Sequence, residues 1–254
     1  MRILRSELCK LKHSKILFGF FLLLIYYIVT AHSNAQMAGV TSKGYMVSIT
    51  LGYLTFAYCL PIAYIAGALI FSQDDSWNTL PHLLTGSLSR RQTMGYKLLT
   101  LFVVNIGLET LLVLFAIALH LVTGRPAEKL FPEQIWLQLA VTFLCMSVWS
   151  IVAFSIVALT KSLTLGILIP FVFSLEAYLY PFCSVTVKQC LPNYHIEALL
   201  AESFTNLKPG ATMLYFQHFG NGEPWYAHLL YELGLVTLML GAAFLRFRRE
   251  EVRS

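Results

Sequence analysis

Apolar residues in this chain gather into long blocks separated by short polar stretches, and the blocks have the length of membrane-crossing helices. At about 1.5 Å of rise per residue, some 20 apolar residues span a hydrocarbon core about 30 Å thick. Six such blocks are read, over residues 16–31, 46–71, 98–123, 134–160, 163–182 and 225–244. They are continuous and lack the short alternation of lipid-facing strands, so helices are expected and a barrel is not. The pattern predicts an all-α membrane protein with one membrane domain over 1–254. Within it fall an amphipathic segment 1–15, a polar loop 72–97 and an external stretch 184–224. No small-residue cleavage pattern precedes His32, so the first block is expected to stay in the mature protein.

The segments between the blocks have patterns of their own. Met1, Leu4, Leu8 and Leu11 share one helical stripe, while Arg2, Arg5, Ser6, Lys10 and Lys12 fill the rest. Such a helix lies flat on a leaflet, either anchoring the first span or gripping a partner. In the polar loop, Leu80, Leu83 and Leu84 repeat at helical spacing. Asp75, Ser76 or Thr79 would cap this short helix, Pro81 fits its first turn, and Gly86 and Ser89 break it before Arg90-Arg91. It reads either as a docking ridge or as a solvated loop. Toward the carboxyl end, Pro192-Asn193 opens a helix with Ile196, Leu199, Leu200 and Phe204 on one stripe, which would end at Lys208-Pro209-Gly210. That helix is expected to lie on the membrane surface or to cap the bundle. Tyr215, Phe216, Phe219, Trp225 and Tyr226 form an aromatic cluster suited to an interfacial belt or to a gate.

Composition agrees with the blocks, since 57% hydrophobic and 12% charged residues leave too little polar surface for a water-soluble domain. Thirteen of the 18 Lys and Arg residues fall on one side of the six blocks: those up to Lys15, then Arg90, Arg91, Lys97, Lys161 and the four after the last block. Cytoplasmic loops carry such an excess, which places both termini in the cytoplasm. The net charge of +5 is then explained by anionic lipid headgroups, without nucleic acid.

Three carboxyl groups sit inside apolar blocks, where each costs about 2.5–3.5 kcal/mol if charged, unpaired and central. Glu109 lies one turn beyond Asn105, so the two share a helical face. It is either a structural polar contact or part of a solute path. Glu176 follows Pro170, a candidate kink like Pro61, and Glu232 lies two turns into the last block, so this pair would line one outer, wet opening. His82, His195 and His218 lack ligand spacing, and no zinc site is expected; His120 is expected near headgroups. Cys183 and Cys190 are both expected outside and able to form a disulfide, whereas Cys9, Cys59 and Cys145 look like small apolar fillers. The chain contains no Gly-x-x-x-x-Gly-Lys-Ser/Thr phosphate loop and no His-Glu-x-x-His or Gly-x-Ser-x-Gly pattern, so neither nucleotide hydrolysis nor catalysis is expected of it.

The spacing Asp74, Thr79, Leu83-Leu84, Ser89-Arg90 and Lys97 resembles the stretch after the second span in permease subunits of ABC type-2 exporters. Asn78 and Ser87 depart from that pattern. The basic run Leu4 to Leu11 and the ending Phe247-Arg248-Arg249-Glu250 resemble the family's termini, and the length is most similar to bacteriocin and lantibiotic immunity or export permeases. The resemblance implies a coupling helix in the central loop that seats in a separate cytoplasmic ATPase. Its contacts would come from Asp74, Asp75, Trp77, Thr79, His82, Leu83 and Leu84, with Arg90 and Arg91 at the junction to the next span. It also implies two ATPase copies holding ATP and Mg, a second permease, identical or sister, and hydrophobic or amphipathic peptides or drugs leaving a bacterial plasma membrane. This chain itself would bind no cofactor. Asn105, Glu109, Glu176 and Glu232 are the candidates for the solute path. The competing reading is a carrier or channel without an ATPase, coupled to protons or cations through Glu109, Glu176 and Glu232, although no inverted repeat is visible.

Overall fold

The computed structural model describes residues 60–76, 90–122, 135–204 and 224–249, together with Cys9, Gly19 and Leu22. Seven α-helices follow one another over the longer stretches: α1 Leu60–Ser76, α2 Arg90–Val122, α3 Ile135–Thr160, α4 Leu163–Ser174, α5 Val185–Lys188, α6 Pro192–Phe204 and α7 Trp225–Arg249. A 3-10 helix, Leu175–Phe182, joins α4 to the rest. No strand occurs among the described residues. Three helical stretches, Gln92–Phe115, Ile135–Thr160 and Trp225–Arg246, are long and apolar enough to cross a membrane, and Leu60–Ser72 and Leu163–Ser174 are shorter apolar helices. The protein is an all-α membrane protein. Residues 16–31 and 46–59, the interfacial stripe up to Lys12, and Tyr215, Phe216 and Phe219 of the aromatic cluster lie outside the described residues, except Cys9, Gly19 and Leu22, whereas Trp225 and Tyr226 of that cluster are exposed at the start of α7.

α3 occupies the centre because its sequence is apolar or small on every face, and a helix of that kind is stable only when surrounded. Every residue from Cys145 to Ala158 is buried, against α1, α7, α4, α2 and α6. Glycine sets the closest approach. A Cβ on Gly67 would collide with the Ser150 carbonyl, and one on Gly166 would collide with the Val157 side chain and press on Ala68. In membranes, where apolar surface gains little by leaving lipid, such small-residue contacts let backbones meet and gain dispersion energy. α2 and α7 instead expose Leu99, Ile106 and Leu114, and Leu230, Leu238 and Leu245.

Several helix limits differ from those the apolar blocks predict. α1 continues through Asp74 and Asp75 to Ser76. α2 begins at Arg90, eight positions before the block at 98, and therefore includes Arg90, Arg91 and Lys97. Arg, Gln, Met and Lys favour helix in water as well as in lipid, so hydropathy marks the membrane entry and not the helix start. The fifth block is not one helix. It tightens after Ser174 into the 3-10 helix, bracketed by Pro170 and Pro181, each of which removes a donor from an α ladder. Lys161 turns the chain between α3 and α4 with φ 59°, a conformation that costs a non-glycine residue roughly 1–2 kcal/mol. Ser162 then caps α4 by accepting from the Leu165 N–H at 3.3 Å.

α6 starts at Pro192, where the sequence places it, and it caps the bundle rather than lying on a surface. Asn193 to Leu200 are buried without interruption, between α7, α3 and the 3-10 helix. Cys183 and Cys190 are free thiols in this structure.

Candidate functional site

Polar groups concentrate at two ends of the bundle and along one line between them. At the first end, Lys97 is 3% exposed and its ammonium donates to the Ile70 carbonyl at 2.6 Å, which ties α2 to the end of α1. The same ammonium lies 5.7 Å from the Phe71 ring centre, and the Lys161 ammonium lies 5.4 Å from it. Phe71 meets Phe154 of α3 edge-on at 5.1 Å. Both cations are drawn to the electron-rich π cloud of the ring, and the buried lysine is tolerated because a carbonyl and a ring replace its water. This junction gathers α1, α2 and the α3–α4 turn. Of the residues assigned to coupling, Asp74 and Asp75 close α1, and Arg90 and Arg91 open α2. Trp77, Thr79, His82, Leu83 and Leu84 lie outside the described residues.

Between the ends, Asn105 is fully buried and its amide donates to Ser150 Oγ at 2.9 Å and Ser147 Oγ at 3.5 Å. It bonds α3 rather than Glu109. The half-buried Glu109 keeps one oxygen, Oε1, buried without a hydrogen-bond partner among the described residues.

The second end holds the larger cluster. Glu176 on the 3-10 helix accepts the Asn193 N–H at 3.3 Å through Oε2, and the Asn193 side-chain amide donates to Glu197 Oε1 at 2.6 Å. Glu197 is 2% exposed, and burial foremost, followed by the Glu176 charge, raises its carboxyl well above the ordinary range; the nearby Tyr180 hydroxyl opposes part of that rise. Glu232 on α7 is 1% exposed and within electrostatic reach of Glu176. Both Glu232 oxygens and Glu176 Oε1 lack a hydrogen-bond partner among the described residues. The structure thus brings Glu176 and Glu232 together, as their positions suggest, but in an enclosed site and not a wet opening.

Histidines flank the acids. His195 Nδ1 lies 2.9 Å from His228 Nδ1, and His195 Nε2 lies 2.9 Å from the Gln189 carbonyl. Tyr231 stacks on His195 at 3.9 Å and donates to the Cys190 carbonyl at 3.2 Å. No group of three or more His, Cys, Asp or Glu arranged for a metal ion occurs among the described residues. Asn193, Glu197 and His228 escape the sequence reading. The available signals were a carboxylate inside the apolar stripe of α6, and the placement of His228 four residues before Glu232 on one helical face.

The family model for ABC-2 family transporter proteins matches residues 3–176. The chain belongs to the ABC-2 transporter family. An ABC-2 chain is the membrane component of an ABC transporter, which agrees with the multi-pass helical bundle and implies an ABC ATPase as partner. No curated protein matches the chain in sequence. The matched stretch of this ABC-2 protein contains the Lys97 junction and the Asn105 contact and ends at Glu176, so α6 and α7, with Glu197, His228 and Glu232, lie beyond it.

Proposed function

We propose that this chain is the permease subunit of an ATP-driven exporter that moves hydrophobic or amphipathic peptides, of the bacteriocin or lantibiotic kind, or drugs out of a bacterial plasma membrane. Both termini face the cytoplasm, where the basic residues gather. Two ATPase copies carry ATP and Mg, and a second permease, identical or sister, completes the membrane path among lipids. The whole of 1–254 acts as one permease domain, with 1–15 on the inner leaflet.

The observation that carries this reading is the Lys97 junction within the matched family stretch. The helices that flank residues 77–89 in sequence, α1 and α2, are fastened to each other and to the α3–α4 turn, so a push transmitted through either moves three elements at once. Trp77, Thr79, His82, Leu83 and Leu84 supply the contacts to the ATPase, and Asp74, Asp75, Arg90 and Arg91 hold the segment's roots. The solute path runs past Asn105 and Glu109 to Glu176 and Glu232, with the outer end closed in the present state.

The test is purification of the tagged chain from native membranes, followed by transport in inverted vesicles. An ATPase bearing a phosphate loop is expected to co-purify, and uptake is expected to need ATP. Replacing Leu83 and Leu84 with Asp is expected to leave insertion intact while ATP hydrolysis no longer drives uptake. Transport by the chain alone, driven by a proton gradient, would overturn the proposal in favour of a carrier working through Glu109, Glu176 and Glu232.

A further inference from the structure

We infer that Glu176, Glu197 and Glu232 form a proton-held latch, which keeps α6 seated against α7 and the 3-10 helix while the three carboxyls retain protons and releases it when they ionise. The inference concerns the seating of α6 and stands whether or not the chain exports peptides.

Three elements that are distant in sequence each contribute one buried acid, and Glu176 lies within electrostatic reach of both others. Their six oxygens meet few donors: the Asn193 N–H on Glu176 and the Asn193 amide on Glu197. Glu232 receives none among the described residues. An ionised carboxylate removed from water without donors is costly, and like charges in one site cannot all be ionised cheaply. A protonated carboxyl avoids both penalties. Once α6 lifts and water enters, the acids ionise at ordinary values, so unseating releases protons. The seated state, which buries these carboxyls with few donors, binds more protons than the open one, so its stability falls as pH rises above the ordinary carboxylate range.

The other titratable groups around the acids act differently. From α6, the His195 Nε2–H must donate to the Gln189 carbonyl, which can only accept. Neutral His195 therefore accepts at Nδ1, and His228 of α7 supplies the proton. This bond survives loss of any extra proton from the pair and breaks only when both rings are fully protonated, so the histidines loosen α6 on acidification. Tyr180 of the 3-10 helix, Tyr194 of α6 and Tyr231 of α7 also border the cluster. Cys145 of α3 is buried and in reach of Glu232. Loosening as pH rises therefore points to the acids, and loosening on acidification to the histidines.

Hydrogen–deuterium exchange on the full chain with its partner subunits in lipid nanodiscs tests this, with protection factors corrected for intrinsic rates. The α6 amides are expected to lose protection as pH rises from 7 to 9, by up to about tenfold per pH unit for each linked proton, while residues 145–158 of α3 hold theirs. The combined variant E176Q, E197Q and E232Q is expected to flatten the profile. If it fails to assemble, E232Q alone, which removes no hydrogen bond seen here, is expected to reduce the slope. A flat wild-type profile, an unchanged slope in E232Q, or protection lost only toward acid pH would overturn the latch.

Discussion

Water is excluded from two regions of this molecule by opposite means. Where α1 meets α3 and α4, exclusion is by shape: Gly67 leaves no room for a methyl group against the Ser150 carbonyl, Gly166 leaves none against Val157, and Ala63, Ala68 and Ala153 are fully buried. Where α6 meets α7 and the 3-10 helix, residues of equal burial include Glu176, Asn193, His195, Glu197, His228 and Glu232. The first contact is indifferent to protonation. The second depends on it, because each acid changes by a full charge in a place that offers few donors. A transporter needs both kinds, a block of helices that moves as one and a seam that opens.

The contrast is broken most severely at Gly67. Ala there places a methyl group on a backbone carbonyl, which cannot swing aside as a side chain can, so α1 and α3 must separate. A loss at or above the upper end of about 1–3 kcal/mol is expected, read as an earlier unfolding midpoint in an SDS titration. The seam should lose nothing in this variant, and unchanged stability would mean that the helices do not meet so closely. Lys97→Met comes next. It keeps the length of the side chain but removes a charge-assisted bond to Ile70 and one cation from Phe71, at a cost of about 1.5–3 kcal/mol in the same titration. Gly166→Ala is milder, because Val157 can change rotamer and Ala gains about 1 kcal/mol of helix propensity, leaving a net loss of about 1 kcal/mol.

What the sequence made legible follows from how local each signal is. The limits of α3 and the starts of α4 and α7 at Leu163 and Trp225 match the apolar blocks, and α6 starts at Pro192 as read, because an abrupt change in hydropathy or a proline marks them. The early start of α2 at Arg90 is hidden by its own charges, and the 3-10 helix is hidden inside an apolar run whose hydropathy does not change at Ser174. Among the site residues, Glu176 and Glu232 stand out as acids in apolar surroundings, and the fold brings them together. Their enclosure is not legible, since it depends on α6 packing between them and the solvent. The His195–His228 contact joins residues 33 positions apart, and only the tertiary fold supplies that pairing.

The smallest expected effect is the most discriminating. Lys97 and Glu232 are both almost fully buried ionisable groups, yet one has a carbonyl and a ring, and the other has no hydrogen bond among the described residues. Removing a partnered group loses its bonds, whereas replacing an unpartnered acid by its amide loses none. Gln matches a protonated Glu in shape and in offering one carbonyl oxygen and a donor, so Glu232→Gln is expected to change stability at pH 7 by less than about 1 kcal/mol. At pH 9 the wild type has to keep a proton or bury a charge and the variant does neither, so the variant is expected to become the more stable of the two. The SDS midpoints of both proteins at the two pH values decide it. A Glu232→Gln loss as large as that of Lys97→Met, equal at both pH values, would mean that Glu232 is as firmly bonded as the lysine and that the two regions exclude water in the same way.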